Sequence, residues 1–520
     1  MKTSKRLFTI CFYFFSLIGS AQHTDELKST INVPKDRVWY ITDFGAVGDG
    51  KTLNTQAIQN TIDACHRAGG GTVRVTPGNY ISGTIILKDG ILLHVDANAV
   101  IMGSRNRNDY QYIRGLNAQD KPVFGEGISF LIYAERSKHV AIEGKGEING
   151  SGDAFWEEET YIFRDDIRKR KTKEWRPRAL VCFVNCQFIT LRDIALNNSP
   201  CYTLWPLGCD DIIIDGISIR NPVNGPNTDG IDIDCCSRVS ISNCNIEGGD
   251  DAIALKSDGE KLGEDRPCEH VVVTNCILSS PPACAIRIGY EGDSPIRNCT
   301  FSNLAIYNSH HGIDLISILP DVDFPFTILQ GTRIENLQFD DIVMQDVVQP
   351  IYLWMGNEKE DIEPTVFMRN IRISNLIAKD VGDSFIGSRI DKNIENIFLT
   401  NVHLVPTRNI SEDTEFYSHL WYISDNPYAL YIRNVTGLYV EGLTVDLSGA
   451  SGYWEHAVYC ENSKNIILSK VTTNSKGAVK LISHIGATNS SLRVLDCSLE
   501  EGVKLIVADE NSHVVTRGDD

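Results

Sequence analysis

The sequence has few basic residues for its length. It carries 49 Lys and Arg against 68 Asp and Glu, a formal net charge of −19 over 520 residues. Nucleic acids and anionic membranes recruit proteins through basic surfaces, so neither is an expected partner. A polyanionic substrate would require a local basic patch.

Long apolar runs are also missing after the N-terminus, so we expect no membrane insertion. The first residues resemble an export signal, with Lys2, Lys5 and Arg6 before an apolar stretch at residues 7–18 and a small-residue cleavage site ending at Ala21. We expect a signal peptide at residues 1–21 and a periplasmic or secreted protein that begins near residue 22. No cysteine stands at the cleavage site, which argues against a lipid anchor.

Helical periodicity is scarce as well, and one amphipathic segment at residues 54–69 is the exception. A short motif recurs instead at irregular spacing, in which alternating apolar residues are followed by Asn, Asp or Gly, as in "IIIDGISI", "VSISNCNI", "VVVTNCIL" and "IRISNLIA". Period two predicts strands, and the repetition predicts a solenoid. We therefore expect an all-β, single-stranded right-handed parallel β-helix over residues 22–520, with an N-terminal capping helix and no second domain.

Fifteen cysteines in an exported chain would ordinarily indicate disulfides. Here Cys186, Cys209, Cys236 and Cys268 each precede a β-branched run at the start of similar segments. This placement favours small buried residues stacked along the core, with a few disulfides left open.

The stretch "NTDGIDIDCCSRVSISNCNIEGGDDAIALKSD" concentrates five carboxylates. Aligning its two halves with the next two segments predicts an exterior column of Asp229, Asp251, Cys284 and His311, with Asp250 beside it. The aliphatic residues between them should point inward and the column should face solvent. Adjacent coils would bring the acids together in one groove, which is a geometry suited to catalysis.

Five segments together resemble family 28 glycoside hydrolases, the polygalacturonase group: they include "ITDFGAVGDGKTLNTQAIQNTIDAC", "PNTDGIDID" and "GGDDAIALKSD". The resemblance implies an inverting hydrolase on a right-handed parallel β-helix that degrades pectin. It implies that Asp250 is the general acid, that Asp229 and Asp251 activate water, and that Asn227 helps to place sugar and water. Crowding of acids should raise one pKa and keep the proton donor protonated.

Two departures from the family pattern accompany the matches. Cys284 in "PPACAIRIG" stands where the family has a histidine, and Asp314 stands where it has the arginine of a carboxylate-binding triplet. A bare Asp314 would repel a uronate, which weakens the case for endo-cleavage of homogalacturonan. Exo-acting or rhamnogalacturonan-directed hydrolysis, or another plant or algal glycan, stays open.

The remaining substrate-binding candidates are outward positions of the alignment: Lys256, Arg287, His311 and Trp205. We expect no cofactor or metal, a polysaccharide or oligosaccharide substrate, and a monomer. Two alternatives stay open: a β-helix polysaccharide lyase, whose acids would bind Ca²⁺, and a non-catalytic glycan-binding β-helix.

Overall fold

The computed structural model describes residues 33–164, 167–318, 330–356, 366–389, 393–407, 409–410, 417–419, 422–424, 426–452, 454–475, 481–498 and 502–516. The predicted signal peptide, residues 1–21, lies outside this range. Ile31–Asp520 form one compact unit. No helix among the described residues is both long enough and apolar enough to cross a membrane.

Short strands build the first coils: β1 (Val38–Tyr40), β2 (Asp49–Leu53), β3 (Gly71–Val75), β4 (Gly78–Ser82), β5 (Ile85–Ile86), β6 (Ile91–Val95), β7 (Ala99–Gly103), β8 (Phe130–Glu135), β9 (Lys138–Gly144) and β10 (Glu147–Asn149). An antiparallel hairpin follows, formed by β11 (Trp156–Arg164) and β12 (Ile167–Thr172). The central strands are β13 (Ala179–Val184), β14 (Gln187–Arg192), β15 (Ala195–Asn197), β16 (Tyr202–Leu207), β17 (Asp210–Asp215), β18 (Ser218–Arg220), β19 (Ile231–Asp234), β20 (Ser237–Ser242), β21 (Asn245–Glu247), β22 (Ile253–Ser257), β23 (Cys268–Thr274), β24 (Ile277–Ser279) and β25 (Cys284–Gly292).

The later strands are longer at first: β26 (Ile296–Ile318), β27 (Ile334–Gly356), β28 (Met368–Val381), β29 (Ser384–Ser388), β30 (Ile394–Pro406), β31 (Asn409–Ile410), β32 (Tyr417–His419), β33 (Tyr422–Ser424), β34 (Tyr428–Arg433), β35 (Val435–Asp446), β36 (Ser451–Gly452), β37 (His456–Glu461), β38 (Lys464–Ser469), β39 (Thr472–Asn474), β40 (Ser483–Thr488), β41 (Ser491–Leu495), β42 (Lys504–Ala508) and β43 (His513–Thr516). The helices are α1 (Thr55–Arg67) and α2 (Gly259–Leu262), with 3-10 turns at Ile41–Phe44, Arg107–Asp109 and Gly152–Phe155.

The strands coil into a right-handed parallel β-helix, as the repeat predicted. Thirty-seven of the described strands belong to one continuous sheet. In the central region each turn contributes three strands: β16, β17 and β18 pair in parallel with β19, β20 and β21 of the next turn. Helix α1 carries the predicted amphipathic segment and buries Ile58, Ile62 and Cys65 in the main core.

The polar residue that follows the apolar residues in each repeated motif forms a corner of the coil. Asn243, Asn275 and Asn303 all have φ near +55°, a left-handed conformation that Asn tolerates better than most residues. Their amides form a ladder, since Asn303 Nδ2 donates to Asn275 Oδ1 at 2.7 Å and Asn275 donates to Asn243 at 3.4 Å. The repeat therefore satisfies the corner side chains from turn to turn.

The cysteines confirm the core-stack interpretation. All fourteen described cysteines are free thiols and thirteen of them are buried. The backbone N–H of Cys186 donates to Cys209 Sγ, and that of Cys209 donates to Cys236 Sγ, both at 3.3 Å. These thiols fill the interior and accept hydrogen bonds between successive coils.

Candidate active site

Strand pairing places four residues from four successive coils in one column. The register of β19 with β22 brings Asp229 beside Asp251, and the register of β22 with β25 continues the column to Cys284. Cys284 then pairs directly with His311 of β26. The predicted column is confirmed, and Asp250 precedes Asp251 at its edge.

The backbone around Asp250 is fixed by a close approach. A Cβ atom on Gly249 would lie 2.3 Å from both the Pro222 carbonyl oxygen and Thr228 Oγ1, so only glycine fits there. On the following coil, Ser280 Oγ donates to the Asp250 carbonyl at 2.7 Å. The Asp250 side chain is therefore presented by a tightly packed turn.

The predicted exposure of the column is wrong for two of its acids. The side chains of Asp229 and Asp251 are 6% and 11% exposed, whereas that of Asp250 is 17% exposed. The positions lie outside the coil, but Lys256 lies against Asp229 and Arg287 lies against Asp251. Asp250 is the most accessible of the three acids.

Lys256, predicted to contact substrate, is buried among protein acids. Its Nζ lies 3.0 Å from Asp232 Oδ1, 3.4 Å from Glu291 Oε2 and 3.7 Å from Asp229 Oδ2, and 4.0 Å from the Tyr202 ring centre. Burial alone would lower the pKa of Lys256, but the surrounding carboxylates raise it well above its usual value. Lys256 is thus a fixed positive charge inside the acid cluster, and its contact with substrate stays a prediction.

Arg287 has a similar role one coil further along. Its Nε lies 3.3 Å from Asp251 Oδ2 and its NH1 lies 3.0 Å from Asp314 Oδ1, while Tyr290 stacks on the guanidinium. The expectation of a bare Asp314 is wrong, because this carboxylate is fully buried and paired. Binding of a substrate by Arg287 stays a prediction.

The hairpin β11–β12 supplies a cation that the sequence analysis missed. Lys169 Nζ lies 2.6 Å from Asp250 Oδ2, and the Lys169 side chain is 1% exposed. The Phe163 ring covers the ammonium at 4.3 Å, and Arg170 N–H donates to the Asn224 carbonyl at 2.9 Å. The available signal was the basic run at residues 168–173, five cations in six residues, yet only the fold brings it to the acids.

The three acids have different pKa shifts. Burial, reinforced by the charge of Asp232, raises the pKa of Asp229 well above its usual value. Burial and the Asp250 charge also raise the pKa of Asp251, although Arg287 opposes them. Burial would raise the pKa of Asp250 too, but the charge and hydrogen bond of Lys169 outweigh it and lower the value. The expected raised pKa of the proton donor is therefore wrong for Asp250 in the free protein.

Asp229 offers an acceptor for a water molecule. Its Oδ1 atom is buried and has no hydrogen-bond partner among the residues that the structure describes. A buried carboxylate oxygen without a donor is costly, so a hydrogen-bonded ligand is favoured there. This suits the role of holding an attacking water.

Asn227 lies at the rim of the site in an exposed left-handed turn. Arg176 fixes it: NH2 donates to Asn227 Oδ1 at 2.8 Å, while NH1 donates to the carbonyls of Pro200 and Pro226. The predicted contact of Asn227 with sugar stays a prediction. These hydrogen bonds from Arg176, a residue that the sequence offered no reason to single out, hold the Asn227 turn in place.

Two other candidates are not on an open surface. Trp205 is 3% exposed, packs on Tyr202 and Phe124, and places Nε1 3.3 Å from Asp234 Oδ2. His311 is 1% exposed and hydrogen bonds to Asp314. The outward positions were correctly identified, but neighbouring side chains cover them, so their predicted solvent exposure is wrong. Contact of Trp205 and His311 with substrate stays a prediction.

A cleft of about 550 Å³ adjoins the acid cluster. Glu291 lines it and also pairs with Lys256, so the cleft and the cluster share a wall. Two lysines, Lys121 and Lys261, line the same cleft. Three acids, Asp258, Glu260 and Glu291, line it as well, and Lys261 pairs with Asp258, so the cleft carries charges of both signs.

The described residues include one group whose donor atoms could hold a metal ion: Cys284, His311 and Asp314. All three are buried and lie next to Asp251, since the Cys284 N–H donates to Asp251 Oδ1 at 3.0 Å.

Comparison with known proteins gives consistent results. The family model "Glycosyl hydrolases family 28" matches residues 113–390, and a rhamnogalacturonase A/epimerase, pectate lyase-like model matches residues 39–136. A probable polygalacturonase from Vitis vinifera is 30% identical over 286 residues, which are 52% of this chain and 55% of that protein. An exopolygalacturonase from Arabidopsis thaliana is 24% identical over 354 residues, 66% of this chain and 74% of its own. The chain thus spans little more than half the length of the first relative.

Two solved structures share the fold. An exopolygalacturonase from Thermotoga maritima superposes with a TM-score of 0.58 at 22% identity, covering 79% of this chain and 90% of its own. A family 28 exopolygalacturonase from Yersinia enterocolitica gives 0.58 at 19% identity, covering 79% of each chain. At these identities the similarity concerns the fold alone.

Proposed function

The chain belongs to glycosyl hydrolases family 28, and from this premise we propose that it is an exported, inverting glycoside hydrolase of pectic or related uronate-containing polysaccharides. The observation that carries the proposal is the meeting of Asp229, Asp250 and Asp251 on adjoining coils. An inverting site needs one carboxyl that donates a proton and another that activates water. The relatives named as polygalacturonases support a uronate substrate.

The roles follow from accessibility and hydrogen bonding. Asp250 is the most accessible acid, so it protonates the leaving glycosidic oxygen. Asp229 and Asp251 hold the attacking water, which donates to the Asp229 oxygen that lacks a protein donor. The water's proton passes to this carboxylate pair as the bond to the anomeric carbon forms.

Lys169 explains how Asp250 could gain its proton. In the free protein the ion pair with Lys169 lowers the pKa of Asp250. A uronate carboxylate that binds Lys169 would take over this cation, and burial would then raise the pKa of Asp250 against the weaker influence of Arg287 and Lys256. The substrate itself would then convert Asp250 into a proton donor, which a neutral sugar could not do by this route.

The hairpin also offers an apolar surface beside Asp250. Phe163 and Tyr161 are both about two-fifths exposed, and Phe163 covers the Lys169 ammonium. A sugar ring that stacks on an aromatic side chain there would place its carboxylate near Lys169. This arrangement supports recognition of an acidic sugar by the hairpin.

The deciding experiment is hydrolysis of a panel of pectic and algal polysaccharides, with products identified by mass spectrometry and NMR. We expect saturated uronate products whose anomeric configuration is inverted when first released. A monomeric first product would indicate attack at a chain end. Products with ultraviolet absorbance from an unsaturated uronate would identify a lyase and overturn the proposal, as would binding without turnover on every glycan.

Export is a separate part of the proposal, and it depends on the signal-like segment at residues 1–21. Cell fractionation of the full-length chain tests it. We expect the processed protein in the periplasm or medium, with an N-terminus near residue 22.

A further inference from the structure

The departures from the family pattern meet at one point. Cys284 and Asp314, the two positions at which the resemblance implies a departure, lie close to His311: Cys284 pairs with His311 of the next coil, and Asp314 follows His311 on the same strand. Cys284 Sγ lies 3.6 Å from His311 Nδ1 and 3.4 Å from Asp314 Oδ2, and the latter two atoms are hydrogen bonded to each other. Three chemically different donors therefore surround one small volume inside the protein.

This arrangement differs from a nucleophilic triad. In such a triad the histidine uses opposite ring nitrogens for the nucleophile and the carboxylate. Here Cys284 and Asp314 both approach Nδ1 of His311. The thiol, imidazole and carboxylate thus converge on a point instead of forming a line for proton transfer, and convergence is the geometry of metal ligands.

The spacing agrees with tetrahedral coordination. Ligands bound to zinc at about 2.0 to 2.3 Å are roughly 3.3 to 3.8 Å apart. Both distances from Cys284 Sγ lie in this range. The hydrogen-bonded pair of His311 and Asp314 is closer, so an ion would separate these two side chains as it replaces their shared hydrogen.

The charges around the cluster also favour a divalent cation. Asp251 and Asp314 are two buried carboxylates that share one cation, Arg287. On binding, the hydrogen that His311 Nδ1 shares with Asp314 would move to Nε2 of the same ring, so the imidazole would stay neutral. A zinc ion with the Cys284 thiolate would then add a net charge of +1, which balances the −1 of Asp251, Asp314 and Arg287 together. The thiol proton would leave to solvent on binding.

Arg287 also orients the cluster. Its NH1 holds Asp314 Oδ1 at 3.0 Å, which turns Oδ2 toward Cys284 and His311. A hydrogen-bonding partner of this kind is the usual support of a ligating carboxylate. The donor set of one sulfur, one imidazole nitrogen and one carboxylate oxygen suits zinc.

We propose that Cys284, His311 and Asp314 form a zinc site that links strands β25 and β26 next to Asp251. The site goes beyond hydrolase activity and does not depend on it, since zinc binding is measured without any glycan. Because the Cys284 N–H donates to Asp251 Oδ1, a bound ion would also hold that acid in place.

The test uses tag-free protein dialysed against a chelator and then against Zn²⁺ or Co²⁺, with metal content measured by mass spectrometry. We expect one equivalent of Zn²⁺ and a higher melting temperature. Co²⁺ should give a sulfur-to-cobalt charge-transfer band in the near ultraviolet. Cys284→Ala should no longer bind one equivalent of Zn²⁺, and its Co²⁺ form should lack the charge-transfer band. Asp314→Asn should weaken zinc binding by at least the roughly 10- to 100-fold that loss of a supporting partner costs.

Cys276→Ala is the matched control, because Cys276 is a buried thiol on the same coil that hydrogen bonds to Thr274. This variant should still bind one equivalent of Zn²⁺. Failure of the wild-type protein to take up zinc, a cobalt spectrum without the sulfur band, or undiminished binding in Cys284→Ala would each overturn the site. If Cys284→Ala does not fold, as judged by circular dichroism, the wild-type cobalt spectrum and Asp314→Asn still decide.

Discussion

Two neighbouring pairs of coils carry chemically different side chains at equivalent positions of the same column. In the first pair, β19 and β22, the column holds Asp229 and Asp251; in the second, β25 and β26, it holds Cys284 and His311. The cations reach them differently as well. Lys169 comes to the first pair from the hairpin outside the helix, whereas Arg287 belongs to the second pair itself.

The comparison shows what a parallel β-helix supplies. Its register gives equivalent positions about 4.8 Å apart on every turn, and the side chains decide what each position does. In the first pair of coils the Asp250 carboxyl is partly accessible to solvent, whereas Cys284 and His311 of the second pair are buried. Changes in the first pair should therefore affect turnover, and changes in the second should affect stability.

The largest effect is expected from Asp250→Asn. An amide cannot donate the proton, so kcat should fall by roughly 10² to 10⁴ or more. The melting temperature should also fall, because the buried Lys169 ammonium loses its charged partner. Steady-state kinetics on the glycan identified by the screen provides the measurement. Asp211→Asn, at a carboxylate paired with Arg238 outside the acid cluster, should keep normal activity. Near-normal turnover by the Asp250 variant would contradict the assignment.

Lys169→Met should change both binding and pH dependence. Loss of a charge-assisted contact worth about 1.5 to 3 kcal/mol should raise KM for a uronate substrate roughly 10- to 100-fold. In kcat/KM, which reports the free enzyme, activity falls as pH rises through the pKa of Asp250. Because Lys169 lowers that pKa, its removal should move this basic limb to higher pH.

Lys171→Met is the control for Lys169, since Lys171 lies two residues away on the hairpin and pairs with Glu159 at the surface. It should leave KM and the pH profile unchanged. Equal effects of the two variants would show that the hairpin acts through its general charge, and an unshifted basic limb in Lys169→Met would refute the link to Asp250.

Arg287→Met tests the second pair of coils. It leaves Asp251 and Asp314 without their shared cation, and breaking a buried pair typically costs about 3 to 5 kcal/mol. Urea unfolding should show this loss. Adding Asp314→Asn should recover part of it, because one of the two uncompensated charges disappears. Additive losses in the double variant would argue against the ion pair.

The smallest effect on catalysis is expected from Trp205→Phe. The ring is buried against Tyr202 and Phe124, so KM should stay within about twofold, while stability should fall by about 1 kcal/mol with the lost Nε1 hydrogen bond to Asp234. A large increase in KM at unchanged stability would instead support the original expectation that Trp205 contacts sugar.

The sequence by itself determined the coil and the column. Period-two segments ending in Asn, Asp or Gly predict stacked strands with left-handed corners. The pattern can be recognised in the sequence because each turn repeats it, as at Asn243 and Asn275. The same alignment put Asp229 beside Asp251 and Cys284 beside His311.

Only the tertiary structure decided which of these groups are covered and which charges meet. Lys169 lies 81 residues before Asp250, on a hairpin outside the repeat, so no periodicity relates the two. Burial of Asp229, Trp205 and His311 comes from side chains of neighbouring coils and not from the strand's own alternation. A pKa depends on those distant charges and on lost hydration, which is why sequence could indicate a cluster of acids but not that Asp250 is the one with the lowered pKa.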